Sequence, residues 1–101
     1  MSNIQEFENS IPEEGLFLID FYADWCMPCK MMMPAIEEIA KKYDGKITIG
    51  KINIEKNSSI AKENGINSIP TLIIFKNGEN VKEVIGLKNA EEISLIIDEF
   101  L

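Results

Sequence analysis

The spacing of apolar residues divides the chain into alternating strand-like and helix-like segments. Residues 16–22 (LFLIDFY) form a nearly continuous apolar run, which is typical of a strand covered on both faces. From Cys26 to about Tyr43 apolar residues recur at helical spacing, and Asp44-Gly45 supplies a stop signal. Residues 47–53 predict a second strand. Residues 57–64, which begin with Asn57-Ser58 and precede Gly65, predict a short helix.

The C-terminal part and the N-terminus complete the pattern. Residues 71–76 and 81–85 flank Asn77-Gly78, which predicts a tight hairpin between two strands. Asn89 and Glu92 predict the cap of a last helix. Ser2 and Gln5 fit a capping box and predict a short opening helix over residues 4–9. This order predicts one α/β domain over residues 1–101, a mixed sheet with helices on both faces.

Length and composition narrow the class of protein. The chain has 101 residues, 46% of them hydrophobic, which suits one globular domain with its own core. No apolar run approaches the roughly 18 residues that cross a bilayer. The first residues, MSNIQE, lack the basic and apolar regions of a signal peptide. We therefore expect a cytoplasmic protein without a membrane partner.

Charge excludes several kinds of chemistry. The net charge is −7, every basic residue is a lysine, and histidine is absent. An acidic chain without arginine repels nucleic acid, so we expect no nucleic-acid partner. The lack of histidine excludes Ser-His-Asp and Cys-His catalysis as well as histidine-ligated metal sites.

The two cysteines carry the candidate chemistry. Cys26 and Cys29 lie three residues apart, too few thiols for a four-ligand zinc site within one chain, so the pair indicates redox chemistry or a metal site shared between chains. The pair follows a buried strand and opens a helix. Unpaired N–H groups and the helix dipole there lower a thiol pKa from ~8.5 toward ~7. The alternative is two free thiols or a disulfide without a catalytic role.

A series of motifs occurs in order along residues 3–101. They are DFYADWCMPCK at residues 20–30, then Lys51, Ile69-Pro70-Thr71, Lys76-Asn77-Gly78 and Gly86. In this order they resemble the thioredoxin family. The resemblance implies a thioredoxin fold and dithiol–disulfide exchange that reduces protein disulfides, without a bound cofactor or metal. It also implies two kinds of partner, a thioredoxin reductase of unspecified type and disulfide-bearing client proteins, and a monomer.

The resemblance assigns roles to four residues. Cys26 attacks a substrate disulfide as a thiolate, and Cys29 then attacks Cys26 and releases the reduced substrate. Cys29 needs a proton acceptor, and Asp20 lies in an apolar strand where desolvation raises its pKa. Lys51 is expected to neighbour this carboxylate and tune it. The alternative places Asp20 in solvent at the end of the strand and makes Lys51 a surface charge.

The resemblance also implies a substrate groove. It predicts a cis bond before Pro70, in a loop that faces the dithiol and pairs with an extended client segment through the backbone of Ile69. Trp25, Ile69, Pro70 and Gly86 are expected to line the groove. Met27 and Pro28, between the cysteines, are expected to set the potential and the partner contact. For Trp25 the alternative is a core aromatic.

Several positions depart from the family pattern. Met27 stands where glycine is usual, Tyr22 where tryptophan is frequent, and Ser68 where glycine is frequent. The N-terminus is shorter than in many members, so we expect the first edge strand to be missing. The sheet would then have four strands in the order second-first-third-fourth, with the last two antiparallel to the first two.

Three further interpretations stay open. Met31, Met32 and Met33 span too wide an arc of helix to face the core together, and they are either helix filler or an adaptable client surface. A disulfide oxidase or isomerase could use the same fold. A dimer could hold zinc or an iron–sulfur cluster between its Cys26 and Cys29 pairs.

Overall fold

The computed structural model describes residues 4–101 and contains, within them, one five-stranded sheet and three helices. Along the chain the elements are β1 (Ile4–Glu6), β2 (Leu16–Tyr22), α1 (Met27–Lys42), β3 (Thr48–Asn53), α2 (Ser58–Glu63), β4 (Thr71–Lys76), β5 (Glu79–Ile85) and α3 (Ala90–Asp98). The order across the sheet is β1-β3-β2-β4-β5. β3 is parallel to both β1 and β2, β4 is antiparallel to β2, and β5 is antiparallel to β4.

The predicted opening helix and the predicted four-stranded sheet are both wrong. Residues 4–6 form a strand that pairs in parallel with β3, Ile4 opposite Ile49 and Glu6 opposite Lys51. Pairing with a distant strand overrides the local capping signal, whose first member, Ser2, lies outside the described residues. The shorter N-terminus therefore keeps the edge strand.

The order of the other four strands, β3-β2-β4-β5, is as predicted, but one direction is not. We expected the last two strands to run antiparallel to the first two. β4 does so, but β5 is antiparallel to β4 and therefore runs in the direction of β2. The reason is the hairpin itself, which reverses the chain within two residues, Asn77 at φ 51° and Gly78 at φ 83°.

The helix boundaries agree closely with the pattern. α1 begins directly after Cys26 and continues through Pro34 to Lys42. At the start of α3 the Asn89 side chain accepts a hydrogen bond from the Glu92 N–H at 2.8 Å, and the Glu92 carboxylate accepts one from the Asn89 N–H at 3.1 Å. None of the helices in residues 4–101 combines the length and apolar character needed to cross a membrane.

The two faces of the sheet carry separate apolar clusters. On the face covered by α1 and α3, strand residues pack against the inner sides of both helices; the buried members include Leu18, Ile49, Leu72, Ile74, Met32, Ile36, Ile39, Ile93 and Ile97. On the other face strand residues pack against α2 and the N-terminal segment; the members include Ile19, Phe21, Ile52, Ile73, Phe75, Ile60 and Phe7. We call these the α1 face and the α2 face.

The ring of Phe7 fixes the N-terminal segment on the α2 face. Its N–H donates to the Lys51 carbonyl at 2.9 Å, and its ring meets Phe17 edge-on at 5.7 Å. A side-chain carbon at Gly50 would overlap the Phe7 ring. Glycine at position 50 therefore makes room for Phe7, and Phe7 in turn sets the register in which Glu6 stands opposite Lys51.

Candidate active site

Cys26 and Cys29 form a disulfide at the N-terminus of α1, with their Cα atoms 5.3 Å apart. Cys26 is the N-cap residue, and its Sγ accepts a hydrogen bond from the Cys29 N–H at 3.2 Å. When the disulfide is reduced, a Cys26 thiolate in this position meets an N–H donor and the positive end of the helix dipole. The backbone therefore favours the charged, nucleophilic form of Cys26.

The side chains on either side of Cys26 point outward. Trp25 is 65% exposed and Met27 is 62% exposed, and Pro28 is exposed as well. The alternative of Trp25 as a core aromatic is therefore wrong. Both cysteines are themselves buried, so the disulfide lies just beneath a surface that Trp25 and Met27 dominate.

The Ile69–Pro70 loop lies against the disulfide. The bond before Pro70 is cis, as predicted, and Ile69 packs on the small cluster formed by Ala23, Cys26 and Cys29. Gly86 joins the loop because its N–H donates to the Pro70 carbonyl at 2.8 Å. At φ 100° this position strongly favours glycine.

Asp20 lies inside β2, on the α1 face, and is 1% exposed. Neither of its carboxylate oxygens has a hydrogen-bond partner among residues 4–101. Burial raises the pKa of Asp20 from 3.8 to about 7, against the opposing effect of the Lys51 ammonium. The alternative that places Asp20 in solvent is wrong, and the carboxyl is poised to exchange a proton near neutral pH.

Lys51 stands opposite Asp20 in the β2–β3 register. Its ammonium lies 3.8 Å from a carboxylate oxygen of Glu6 and 5.4 Å from the centre of the Tyr22 ring. The Tyr22 hydroxyl donates to Glu6 at 2.9 Å. The sequence pattern does not identify Glu6 as part of this group, because it predicts a helix over residues 4–9; only the pairing of residues 4–6 with β3 brings Glu6 beside Lys51.

A small cavity connects Cys29 with this charged group. Its volume is about 130 Å³, and its walls are Tyr22, Ala23, Asp24, Cys29, Lys30, Met33 and Lys51. A space of this size holds several water molecules. Cys29 and Lys51 therefore line the same small cavity, while Asp20, which stands opposite Lys51 in the sheet, does not form part of its wall.

Two further questions about the site are the positions of its methionines and its capacity to bind a metal ion. Met32 is buried in the α1 face while Met31 is 61% exposed, so the three consecutive methionines do not share one role. Within residues 4–101 the structure has no group of three or more Cys, Asp or Glu side chains placed to hold a metal ion.

Comparisons with known proteins agree on one family. The thioredoxin family model matches residues 1–99. Thioredoxin from Staphylococcus epidermidis is 45% identical over 96 residues, covering 95% of this chain and 91% of its own length. Thioredoxin from Staphylococcus saprophyticus is 44% identical over 95 residues, covering 94% and 90%.

Solved structures agree as well. A mutant thioredoxin from Halobacterium salinarum matches with a TM-score of 0.85 and 31% identity, over 98% of this chain and 93% of that one. The sequence motifs, the cysteine geometry, the sequence identities and the structural similarity all lead to the same assignment. The chain belongs to the thioredoxin family and is a protein-disulfide oxidoreductase with a Cys-x-x-Cys redox-active disulfide.

Proposed function

We propose that this chain acts as a monomeric reductant of protein disulfides in the cytoplasm, folded as one domain over residues 1–101. The observation that carries the proposal is the position of the Cys26–Cys29 disulfide at the N-terminus of α1, where Cys29 shares a cavity with Lys51. Lys51 in turn stands opposite Asp20, a buried carboxyl with a pKa of about 7. A thioredoxin reductase returns two electrons to the disulfide after each turnover. The reducing conditions of the cytoplasm keep such a dithiol available.

In the first step Cys26 is the nucleophile. Its thiolate attacks one sulfur of a client disulfide, the client S–S bond breaks, and a mixed disulfide forms between Cys26 and the client. The other client sulfur leaves as a thiolate and takes up a proton. The helix N-terminus, with the Cys29 N–H at 3.2 Å from Cys26 Sγ, supports the thiolate form of Cys26.

In the second step Cys29 resolves the mixed disulfide. The Cys29 thiol loses its proton, its sulfur attacks Cys26, and the second client sulfur departs as a thiolate. Asp20 is the proton acceptor, by way of the cavity that Cys29 and Lys51 line. The Lys51 ammonium, opposite Asp20 in the register, stabilises the charged carboxylate and so counteracts the effect of burial on the pKa of Asp20.

The client segment binds where three parts of the chain meet. Trp25, Met27 and Pro28 supply one side, and the Ile69–Pro70 loop with Gly86 supplies the other. The exposed apolar area of Trp25 and Met27 suits burial against a client, and the backbone of Ile69 is available to pair with an extended segment. No nucleic-acid or membrane partner is part of the proposal.

Two experiments test the chemistry. In Cys29→Ser the mixed disulfide with a client accumulates, because the resolving sulfur is lost, whereas Cys26→Ser forms none. In Asp20→Asn the Cys26 attack proceeds while resolution of the mixed disulfide slows. An unchanged rate of resolution would remove Asp20 from the mechanism.

The midpoint potential separates this proposal from its rivals. Fluorescence of Trp25, beside the disulfide, can follow the couple in dithiothreitol and glutathione buffers. A value near ~−270 mV agrees with a reductant, and a value between ~−180 and ~−120 mV indicates an isomerase or oxidase. Zinc or a coloured cluster in a purified dimer would instead support the shared metal site.

A further inference from the structure

Three charged side chains lie in one row across the sheet. Glu6 of β1 stands opposite Lys51 of β3, and Lys51 stands opposite Asp20 of β2. Residues that are paired in neighbouring strands share a face of the sheet. The row therefore runs from an exposed edge at Glu6 to the buried carboxyl at Asp20.

The contacts in this row are uneven. The Lys51 ammonium lies 3.8 Å from Glu6, and the Tyr22 hydroxyl donates to both oxygens of that carboxylate at 2.9 Å. Lys51 also lies over the Tyr22 ring at 5.4 Å. Asp20, in contrast, has no hydrogen bond to either oxygen within residues 4–101. The lysine is therefore held toward the edge of the sheet.

We propose that Glu6, anchored by Tyr22, is a positioning residue that holds the Lys51 ammonium at the sheet edge and so controls how readily Asp20 exchanges a proton. The inference rests on the proposed role of Asp20 in resolution. Glu6 acts in two ways, and both make Asp20 hold its proton more tightly. It draws the ammonium away from Asp20, and its own negative charge opposes a second negative charge in the row.

The electrostatics of Asp20 agree with this arrangement. Burial has the largest effect on the pKa of Asp20 and raises it; the Lys51 charge lowers this pKa, and the Glu6 charge raises it. Burial and the hydrogen bond to Glu6 also raise the pKa of Tyr22, so the hydroxyl stays a donor throughout the neutral range. The other charged groups on this side of the molecule are Asp24 and Lys30, around the cavity that Lys51 lines. Cys26 and Cys29 are joined in the disulfide and carry no titratable proton in the oxidised protein, and the β4 neighbour of Asp20, Leu72, is apolar.

The fold makes the position of Glu6 specific. Phe7 follows Glu6 directly, and its ring occupies the space over Gly50 on the opposite face of the sheet. A slip of one residue would expel this ring and turn Glu6 to the other face. The register that places Glu6 beside Lys51 is thus enforced by packing that does not involve the charges.

The test compares Glu6→Gln with Glu8→Gln, which removes the same charge from an exposed position outside the row. NMR of the Asp20 carboxyl carbon in the oxidised protein reports its titration directly. We expect Glu6→Gln to lower the pKa of Asp20 by roughly half a unit or more, about a threefold change in proton affinity. Tyr22→Phe should shift it in the same direction by less, Glu6→Asp should fall between the wild type and Glu6→Gln, and Glu8→Gln should leave it unchanged.

The pH profile of mixed-disulfide resolution should move by the same amount and sign as the Asp20 titration. An Asp20 titration that is unaltered in both Glu6→Gln and Tyr22→Phe, or that shifts equally in Glu8→Gln, would overturn the proposal. Because the titration is measured without a client, it stands apart from the proposed function. A shifted titration with an unshifted rate profile would contradict the role of Asp20 in resolution and leave the Glu6–Lys51 arrangement intact.

Discussion

Two buried polar regions of the molecule are built in opposite ways. At the start of α2, Asn57 is buried and hydrogen-bonded at both ends of its amide: its Oδ1 accepts from the Asn9 N–H at 2.9 Å and its Nδ2 donates to the Asn53 carbonyl at 3.0 Å. Under α1, Asp20 is as deeply buried, but its oxygens have no hydrogen bond within residues 4–101. The Asn57 amide is hydrogen-bonded and stabilises the local structure, whereas the Asp20 carboxyl has no hydrogen-bond partner among the described residues.

The difference identifies the buried group that destabilises the fold. A buried polar group that is fully hydrogen-bonded rigidifies its surroundings, while an unpaired one is costly. With a pKa raised from 3.8 to about 7, ionised Asp20 opposes folding by several kcal/mol, at ~1.4 kcal/mol per unit. That cost falls on the carboxyl that the proposed mechanism uses as a proton acceptor, for which a pKa near neutrality is useful.

Asp20→Asn should give the largest effect on stability. Between pH 4 and 7 the folded protein holds the Asp20 proton that the unfolded chain releases, so stability falls as pH rises and stays low above about pH 7. We expect Asp20→Asn to gain several kcal/mol at pH 8, little near pH 3.5, and to lose this pH slope. Urea unfolding across pH measures it, and Asp44→Asn, at an exposed carboxylate, serves as control. No gain at pH 8 would contradict a buried, ionisable Asp20.

Asn57→Ala should destabilise the folded protein, and by less than Asp20→Asn stabilises it at pH 8. The change removes the partner of the Asn9 N–H and one of two donors to the Asn53 carbonyl, which keeps the Asn57 backbone N–H at 3.0 Å. We expect a loss of about 2 kcal/mol that is the same at pH 5 and pH 8, since each lost hydrogen bond contributes ~1 kcal/mol. Asn64→Ala, which removes one bond, to the Ile60 carbonyl, should cost less. A loss at Asn57 no larger than at Asn64 would show that burial does not strengthen these bonds.

The sequence alone predicted these two regions unequally. The apolar run around Asp20 and the cysteine spacing are local signals of a strand and a helix start, and on these the resemblance to the thioredoxin family assigned roles to Asp20 and Lys51. Glu6 and the bond from Asn9 to Asn57 were not predictable in this way. Both depend on β1 pairing with β3, which is a long-range contact, and a local capping pattern at Ser2 and Gln5 pointed instead to a helix.

Gly50→Ala should weaken both regions at once, because residues 6–9 join them. Phe7 packs over Gly50 between Glu6, which holds Lys51, and Asn9, which bonds to Asn57. An added methyl group displaces the ring and should cost about 1–3 kcal/mol by overpacking. A double-mutant cycle with Phe7→Ala measures the coupling. If the two losses simply add, Phe7 and Gly50 do not set this register.

The surfaces over the two regions differ too, and Met31→Gln tests that difference with the smallest effect on stability. Exposed apolar side chains flank the cysteines along the chain: Trp25 and Met27 on either side of Cys26, and Met31 two residues after Cys29. Exposed polar residues, among them Asn9 and Ser58, accompany Asn57. Since Met31 is 61% exposed, its replacement should leave unfolding within about 0.5 kcal/mol of the wild type.

The same change should raise the KM for protein clients a fewfold while kcat stays constant, because a flexible apolar contact is lost only in the complex. Leu95→Gln is the matched control: Leu95 is similarly exposed, at 65%, but lies on α3 and not on α1, the helix that begins at the cysteines. If KM is unchanged across several clients in Met31→Gln, or rises equally in Leu95→Gln, Met31 only fills the helix. The contrast between the two regions would then be confined to their buried groups.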